Sequence, residues 1–360
     1  MAWRRNQVNQ KVIAAEAGVS QATVSLVLAG QPVCSVDTRQ RVFAAAQRLR
    51  YRPNLLVRGI QTGRTGMIGV MMPPFDFYWS EVLYGIHDVL AAADHVPITL
   101  WTAHNRSNPR GGHEQGADGL EQIHRLLDRR VDGAILWPPF AALFREHVHE
   151  FSSRGLPVVT IDYELPPEFK ADSVGSDEAA GGRTVAEHLL AQRHVRLGHL
   201  AGPTGEAWSD GRRDAFERMI KEASPASCVT MEANLKDAEP GLEQARALLR
   251  MENRPTAIFA ATDPLAKSVY RAAAELGLRI PTDLSVVGFA DDDFAREMAP
   301  PLTTVRQSGY ETGRTAAELL LGRSLGTVMA ARVERVRVPV ELVVRRSTAG
   351  PSDRHRGAAG

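Results

Sequence analysis

The sequence predicts an N-terminal all-α head carrying a helix-turn-helix, followed by an α/β body of two doubly wound, Rossmann-like lobes. Three observations carry that expectation. Two short helical patterns flank a glycine within residues 10–30, QKVIAAEAGVSQATVSLVLAG. The first 66 residues hold ten basic and two acidic side chains, whereas the remainder has seven more acids than bases. From Met67 onward, short apolar runs alternate with amphipathic helical stretches, which is the texture of parallel βαβ units. At 360 residues the chain is too long for a single core.

In the head, Val12, Ile13, Ala14 and Ala17, then Val24, Val27 and Leu28, recur at helical spacing. Gly18 supplies the positive φ of a sharp turn, and Ser20 offers a hydroxyl to the first amides of the second helix. Small Ala14 permits close packing across the turn, with Val19 as its plug. Gln21, Ala22, Ser25, Leu26 and Ala29 are expected on the outer face of that second helix, which then fits a DNA major groove. An ordinary helical hairpin is the alternative on this stretch alone. A third helix is expected over RQRVFAAAQRLRY, capped by Asp37, with Val42, Phe43, Ala46 and Leu49 on its inner face. A basic head on an acidic body suits a polyanion, and no aromatic-rich strand pair points to single-stranded RNA.

Pro53 stops the third helix and can begin a short one. Leu55, Leu56 and Ile60 are apolar where a plain linker is polar. They form either a helix docking on the next domain or one that orders on DNA with a wedge in the minor groove.

In the body, strands are expected at 67–72, 96–101, 133–137, 157–161, 195–200, 257–260 and 285–289. Helices are expected at 78–93, 119–129, 179–192, 211–222, 241–251, 264–276 and 309–321. Ligands in such sheets bind beyond the carboxyl ends of strands, which directs attention to Asp76, Trp79, Trp137, Asp162, Arg212, Asp263 and Asp291. Trp79, Trp137 and Trp208 are either aromatic platforms for a polyhydroxylated or planar ligand or core tryptophans. His147 and His149 stand two apart and face different sides of a helix. His113-Glu114 lacks the second histidine of a zinc hydrolase, and no phosphate-cradling glycine motif or nucleophile elbow is present. Asp291-Asp292-Asp293 reads equally well as a polar loop. Binding without chemistry is expected: no enzyme, no cofactor and no metal. Cys34 and Cys228 read as unpaired thiols of a reducing cytoplasm, and MAWRRNQVNQ carries no hydrophobic segment of a secretory signal.

Nearly the whole chain, from about Asn9 to Thr348, resembles the LacI/GalR family of bacterial transcription regulators. The likeness is carried by AAEAGVSQATVSLVLAG, YRPN, TGRTGMIGV, RRVDGAIL, AEHLLAQRHVRLGHLAGP, ELGLRIPTDLSVVGFADD, PPLTTVRQ and PVELVVRRST in this order. The resemblance implies periplasmic-binding-protein-like type I lobes. It implies a cytoplasmic homodimer on a pseudo-palindromic operator, with a small-molecule effector, a sugar or sugar derivative by family default. By position, Gln21 and Ala22 match base-reading residues and Thr23 and Ser25 phosphate-contacting ones; Ser20, Leu26, Asn54 and Ile60 complete the implied DNA-binding set. Leu26 replaces a usual arginine, and Ile60 a usual leucine wedge. For the effector, Arg212, Asp162, Asp263, Gln307 and Trp79 match ligand positions. Thr262 stands for a frequent asparagine, Ala290 for a frequent aspartate, leaving Asp291 as the nearer acid, and Trp137 for a commonly polar residue.

The organisation expected is a head at 1–52, a hinge helix or linker at 53–66, a two-lobed effector and dimerisation body at 67–350, and a disordered tail at 351–360. One lobe takes about 67–174 and 306–335, the other about 175–305 and 336–348. The function expected is a ligand-responsive, sequence-specific DNA-binding regulator, a repressor of a carbohydrate-uptake or catabolic operon. A transport-type solute-binding protein, or a co-repressor-dependent regulator of nucleoside or other small-molecule metabolism, is the alternative.

Overall fold

The computed structural model describes residues 9–28, 31, 34–51, 64–73, 77–101, 123–137, 148–235, 239–326 and 332–351. It divides into two compact units, Met1–Thr65 and Gly66–Gly360.

The first unit holds α1 (Gln10–Ala17), α2 (Gln21–Leu28) and α3 (Val36–Arg48). Asn9 caps α1, its Oδ1 accepting from the amides of Lys11 and Val12 at 3.0 and 3.2 Å. Gly18 ends the helix at φ +63°, where a side chain is disfavoured. α2 then departs at 104° to α1, within the range of a helix-turn-helix. Ser20 Oγ accepts from the Thr23 amide at 3.0 Å and so caps α2 as expected. α3 begins earlier than its apolar pattern suggests. Its cap is Ser35, whose Oγ accepts from the Thr38 amide at 3.2 Å. Asp37 instead lies in the first turn and pairs with Arg41 at 3.1 Å. Ile13, Ala14, Ala17, Val24, Val27, Val42, Ala45 and Ala46 form the core, with Val19 packed against it. Phe43 departs from its expected inner face and is 49% exposed, because Val42, Ala45 and Ala46 already fill that face. Val12 is likewise exposed.

The second unit contains two six-stranded sheets. The chain runs through β1 (Met67–Met72), α4 (Phe77–Ala92), β2 (Val96–Trp101), β3 (Ala134–Leu136), β4 (Val158–Ile161) and β5 (Asp172–Ser176). It continues through α5 (Glu178–Ala191), β6 (Arg196–Ala201), α6 (Ala207–Glu222), β7 (Ser227–Glu232), α7 (Leu242–Arg250), β8 (Ala257–Ala260), α8 (Asp263–Glu275) and β9 (Ser285–Ala290). Last come β10 (Thr303–Arg306), α9 (Gly309–Ser324), β11 (Arg335–Val338) and β12 (Glu341–Val343). The first sheet has the order β11-β5-β4-β3-β1-β2, the second β12-β10-β9-β8-β6-β7. Every pairing is parallel except β10 with β12.

Both faces of each sheet are covered, which is why β1, β3, β4 and β8 are near-continuous apolar runs. α4 and α9 cover one face of the first sheet, and residues 123–127 with Val148 and Phe151 the other. In the second sheet, α7 and α8 lie on one side and α5 and α6 on the other. Glycines set two of the helix contacts. A Cβ at Gly313 of α9 would fall 1.9 Å from the Val82 carbonyl of α4, and one at Gly182 of α5 would fall 2.3 Å from the Arg212 carbonyl of α6.

The chain passes between sheets three times: after β5, after β10, and between β11 and β12. These passages are bonded together. The Asp177 amide donates to the Val338 carbonyl at 2.9 Å, and Gln307 Nε2 donates to Ser176 Oγ at 3.0 Å. Sheet membership therefore changes just after residues 176, 306 and 338, a few residues beyond the boundaries expected at 174/175 and 335/336.

Candidate functional site

The carboxyl ends of β4 and β5 and the first turns of α5 and α6 enclose a cleft of about 420 Å³ beside the first and third passages. This volume suits a small molecule. Asp162, Ser176, Glu178 and Trp208 are among the residues that line it.

Asp162 follows β4 at φ +55°, a conformation that aspartate tolerates better than most residues. Its Oδ1 accepts from Tyr78 Oη at 3.2 Å and from the Ser176 amide at 3.4 Å. Burial, and then the negative charge of Glu178, push its carboxyl up to about 7. Burial likewise raises Tyr78, keeping it a neutral donor.

Glu178 opens α5 directly after Asp177, whose side chain caps that helix by accepting from the Ala180 amide at 2.8 Å. Glu178 Oε2 accepts from Arg212 Nε at 2.5 Å, and both side chains are nearly enclosed, at 13% and 5% exposure. Gln307 Nε2 also reaches Glu178 Oε1 at 3.3 Å. Burial raises the Glu178 carboxyl, and Arg212 opposes that rise. Arg212 is held on its other sides as well. Nη1 donates to the Ala261 carbonyl at 2.6 Å, and the guanidinium carbon lies 3.6 Å from the centre of the Phe289 ring and 5.0 Å from that of Trp208.

Asp162, Arg212 and Gln307 are thus brought together, with Tyr78, Ser176, Glu178 and Trp208 as partners. The other expected effector residues lie elsewhere. Trp79 is buried in the core of the first sheet and meets Trp137, half-buried, edge-on at 5.8 Å. Asp263 is fully buried at the start of α8. It accepts from Thr304 Oγ1 at 2.6 Å and the Asp292 amide at 2.8 Å, and burial lifts its carboxyl to about 6. Asp291 is paired with Arg306 at 2.8 Å and Arg345 at 2.5 Å. Asp76 lies outside the described residues. Glu178 was missed because β5, Asp-Ser-Val-Gly-Ser, has no apolar run to mark it as a strand, so its carboxyl end drew no attention.

On the head, Gln21, Ala22 and Leu26 are exposed on α2, Leu26 at 42%. Thr23 and Ser25 are half-buried, and Ser20 and Thr23 share a hydroxyl contact at 2.9 Å. Asn54 and Ile60 lie outside the described residues, as do Ala29 and residues 53–63 of the expected hinge. Among the described residues, no group of three or more histidine, cysteine or acidic side chains is placed to hold a metal. Nor is any single helix among them long and apolar enough to cross a membrane.

Residues 11–54 match the profile of "Bacterial regulatory proteins, lacI family", and residues 186–348 that of a "Periplasmic binding protein-like domain". The chain thus carries a LacI-family helix-turn-helix domain followed by a periplasmic-binding-protein-like domain. LacI-family relatives cover nearly its full length. The HTH-type transcriptional repressor PurR of Actinobacillus pleuropneumoniae serotype 3 (strain JL03) is 29% identical over 94% of this chain and 97% of its own. The ribose operon repressor of Halalkalibacterium halodurans is 28% identical over 94% and 96%. The lac repressor dimer bound to operator and the anti-inducer ONPF is similar in structure, with a TM-score of 0.81 and 26% identity over 96% of this chain and all of that one. These relatives are DNA-binding transcriptional repressors rather than enzymes.

Proposed function

We propose that the chain represses a carbohydrate-uptake or catabolic operon, as a homodimer on a pseudo-palindromic operator in the bacterial cytoplasm, nucleoid-associated when bound. The head at 1–52 lays α2 in the major groove, with Gln21, Ala22 and Leu26 toward base edges and Ser20, Thr23 and Ser25 toward phosphates. Asn54 and Ile60, in a hinge at 53–66, complete the DNA contacts. The observation that carries the reading is the exposed face of Gln21, Ala22 and Leu26, on an N-terminal stretch of 66 residues with a surplus of eight positive charges. The lac repressor's operator-bound dimer and the ribose operon repressor's name support the partner and operon class.

A sugar or sugar derivative enters beside Asp162, Arg212 and Gln307. Trp79 and Trp137 in the first sheet, and Asp263 and Asp291 in the second, stiffen the two lobes from outside the cleft. Because Ser176, Glu178 and Gln307 stand at chain passages between the sheets, a ligand that rearranges them shifts the lobes. That shift changes the spacing of paired hinges and thus operator affinity.

The test is a titration of a DNA duplex selected by the protein from random sequence, at salt from 50 to 200 mM. A dimer making six to ten phosphate contacts loses affinity by roughly 10³–10⁵ across that range. A nearly flat dependence overturns the proposal. Repeating the titration with sugars present shows whether the effector induces or co-represses.

A further inference from the structure

The cleft's charge is lopsided. Asp162, Glu164, Asp177 and Glu178 all line it, against one guanidinium, Arg337. Two of those carboxylates are paired with guanidinium groups: Glu164 with Arg335 and Arg337, and Glu178 with Arg212. Asp162 and Asp177 meet only neutral donors among the described residues, but Asp177 is engaged in capping α5, whereas Asp162 faces a phenol and an amide.

Arg212 is the guanidinium expected at a ligand, yet Glu178, the Ala261 carbonyl and the Phe289 ring enclose it at 4% exposure. An anionic ligand would have to displace Glu178 or sit among the four carboxylates with no free cation among the described residues lining the cleft, and an unpaired charge in such a place is costly. A cation faces the opposite balance.

We infer that the effector is a polyhydroxylated amine of the amino-sugar class, its ammonium received by Asp162 and its hydroxyls by neutral groups such as Ser176 and Gln307. This rests on reading the cleft as the effector site and adds the ligand's charge to it. The raised Asp162 carboxyl agrees, since burial and the Glu178 charge hold it toward its protonated form more than Arg212 opposes, and an ammonium reverses that. Trp208 lines the cleft and gives the ring of such a ligand an aromatic surface to pack on.

The test uses three matched sets: glucosamine, galactosamine and mannosamine, their neutral parent hexoses, and the 6-phosphates of those hexoses. Each is measured by calorimetry on the full-length protein and on Asp162→Asn. Asparagine tolerates φ +55° and keeps an acceptor for Tyr78 and Ser176, so the variant alters charge with little change of shape. The expected result is an amine bound at least about tenfold tighter than its parent, no 6-phosphate bound, and an amine-to-parent ratio near one in Asp162→Asn. A parent or 6-phosphate bound as tightly as the amine overturns the inference, as does a ratio that survives Asp162→Asn. If the variant does not fold, the wild-type order decides. If none of the nine binds or alters operator affinity, the sugar-effector reading fails, and the inference with it.

Discussion

Replacing Glu178 by glutamine removes one charge from the Glu178–Arg212 pair while keeping its shape. Both side chains are nearly enclosed, so solvent screens the loss little. Breaking such a pair from one side costs about 3–5 kcal/mol, because the remaining charge stays buried without its partner. Arg212 keeps its bond to the Ala261 carbonyl and its contact with Phe289, which favours the lower end, about 3 kcal/mol. For a body of this size that lowers the melting midpoint by about 5 °C. The assay is urea unfolding followed by tryptophan fluorescence, since Trp208 stands beside the guanidinium. Combining Glu178→Gln with Arg212→Met should cost less than the two single losses together, with a coupling of at least about 1.5 kcal/mol. A single loss below about 1 kcal/mol, or strict additivity, would refute the buried-pair argument. Glu178→Gln should also lower the Asp162 carboxyl, by removing the charge that helps to raise it.

Three further outcomes are expected. His194 and His199 are buried and held neutral, with pKa values lowered to about 4, so they bind fewer protons folded than unfolded. Their stabilisation is full above about 6.5 and is lost as pH falls toward 4, whereas the raised Asp162 and Asp263 carboxyls act in the opposite sense. His199→Phe should therefore gain on the parent protein by about 1 kcal/mol between pH 6.5 and 5.5, and urea midpoints showing no relative gain would contradict this. In the head, Ser35→Ala should cost about 1 kcal/mol by uncapping α3, and Asp37→Ala, in a pair that is largely exposed, less than half of that, both read from the head's melting transition. On operator variants, Gln21→Ala should change which half-site is preferred and Ser25→Ala should weaken all alike; equal losses on every variant for both would exclude these roles.

The legible parts of the sequence were those where burial is one-sided or complete. The Gly18 turn and the apolar strands β1, β3, β4 and β8 announce themselves because only a turn, or a doubly covered sheet, tolerates such residues. The strands that stayed hidden lack that mark. β7 and β12 are half-exposed, β11 alternates, and β5 is polar although buried, since its Asp172 is neutralised by Arg323 at 2.7 Å from another element. That pairing spans 151 residues of sequence, beyond the reach of any local pattern. The same limit governed the site. Asp162, Arg212 and Gln307 were named from position, but Glu178, which decides how much of Arg212 is free, required the neighbouring helix to be in place.

The three passages bonded through Ser176, Asp177 and Gln307 leave each lobe built from segments that are discontinuous along the chain. Neither lobe can be cut out as one uninterrupted fragment. A genetic fusion at an exposed loop of one lobe leaves its topology whole, whereas truncation after α9 deletes a strand from both sheets at once. Residues 335–343 thus belong to two domains, and a reporter meant to sense the ligand is best inserted away from them.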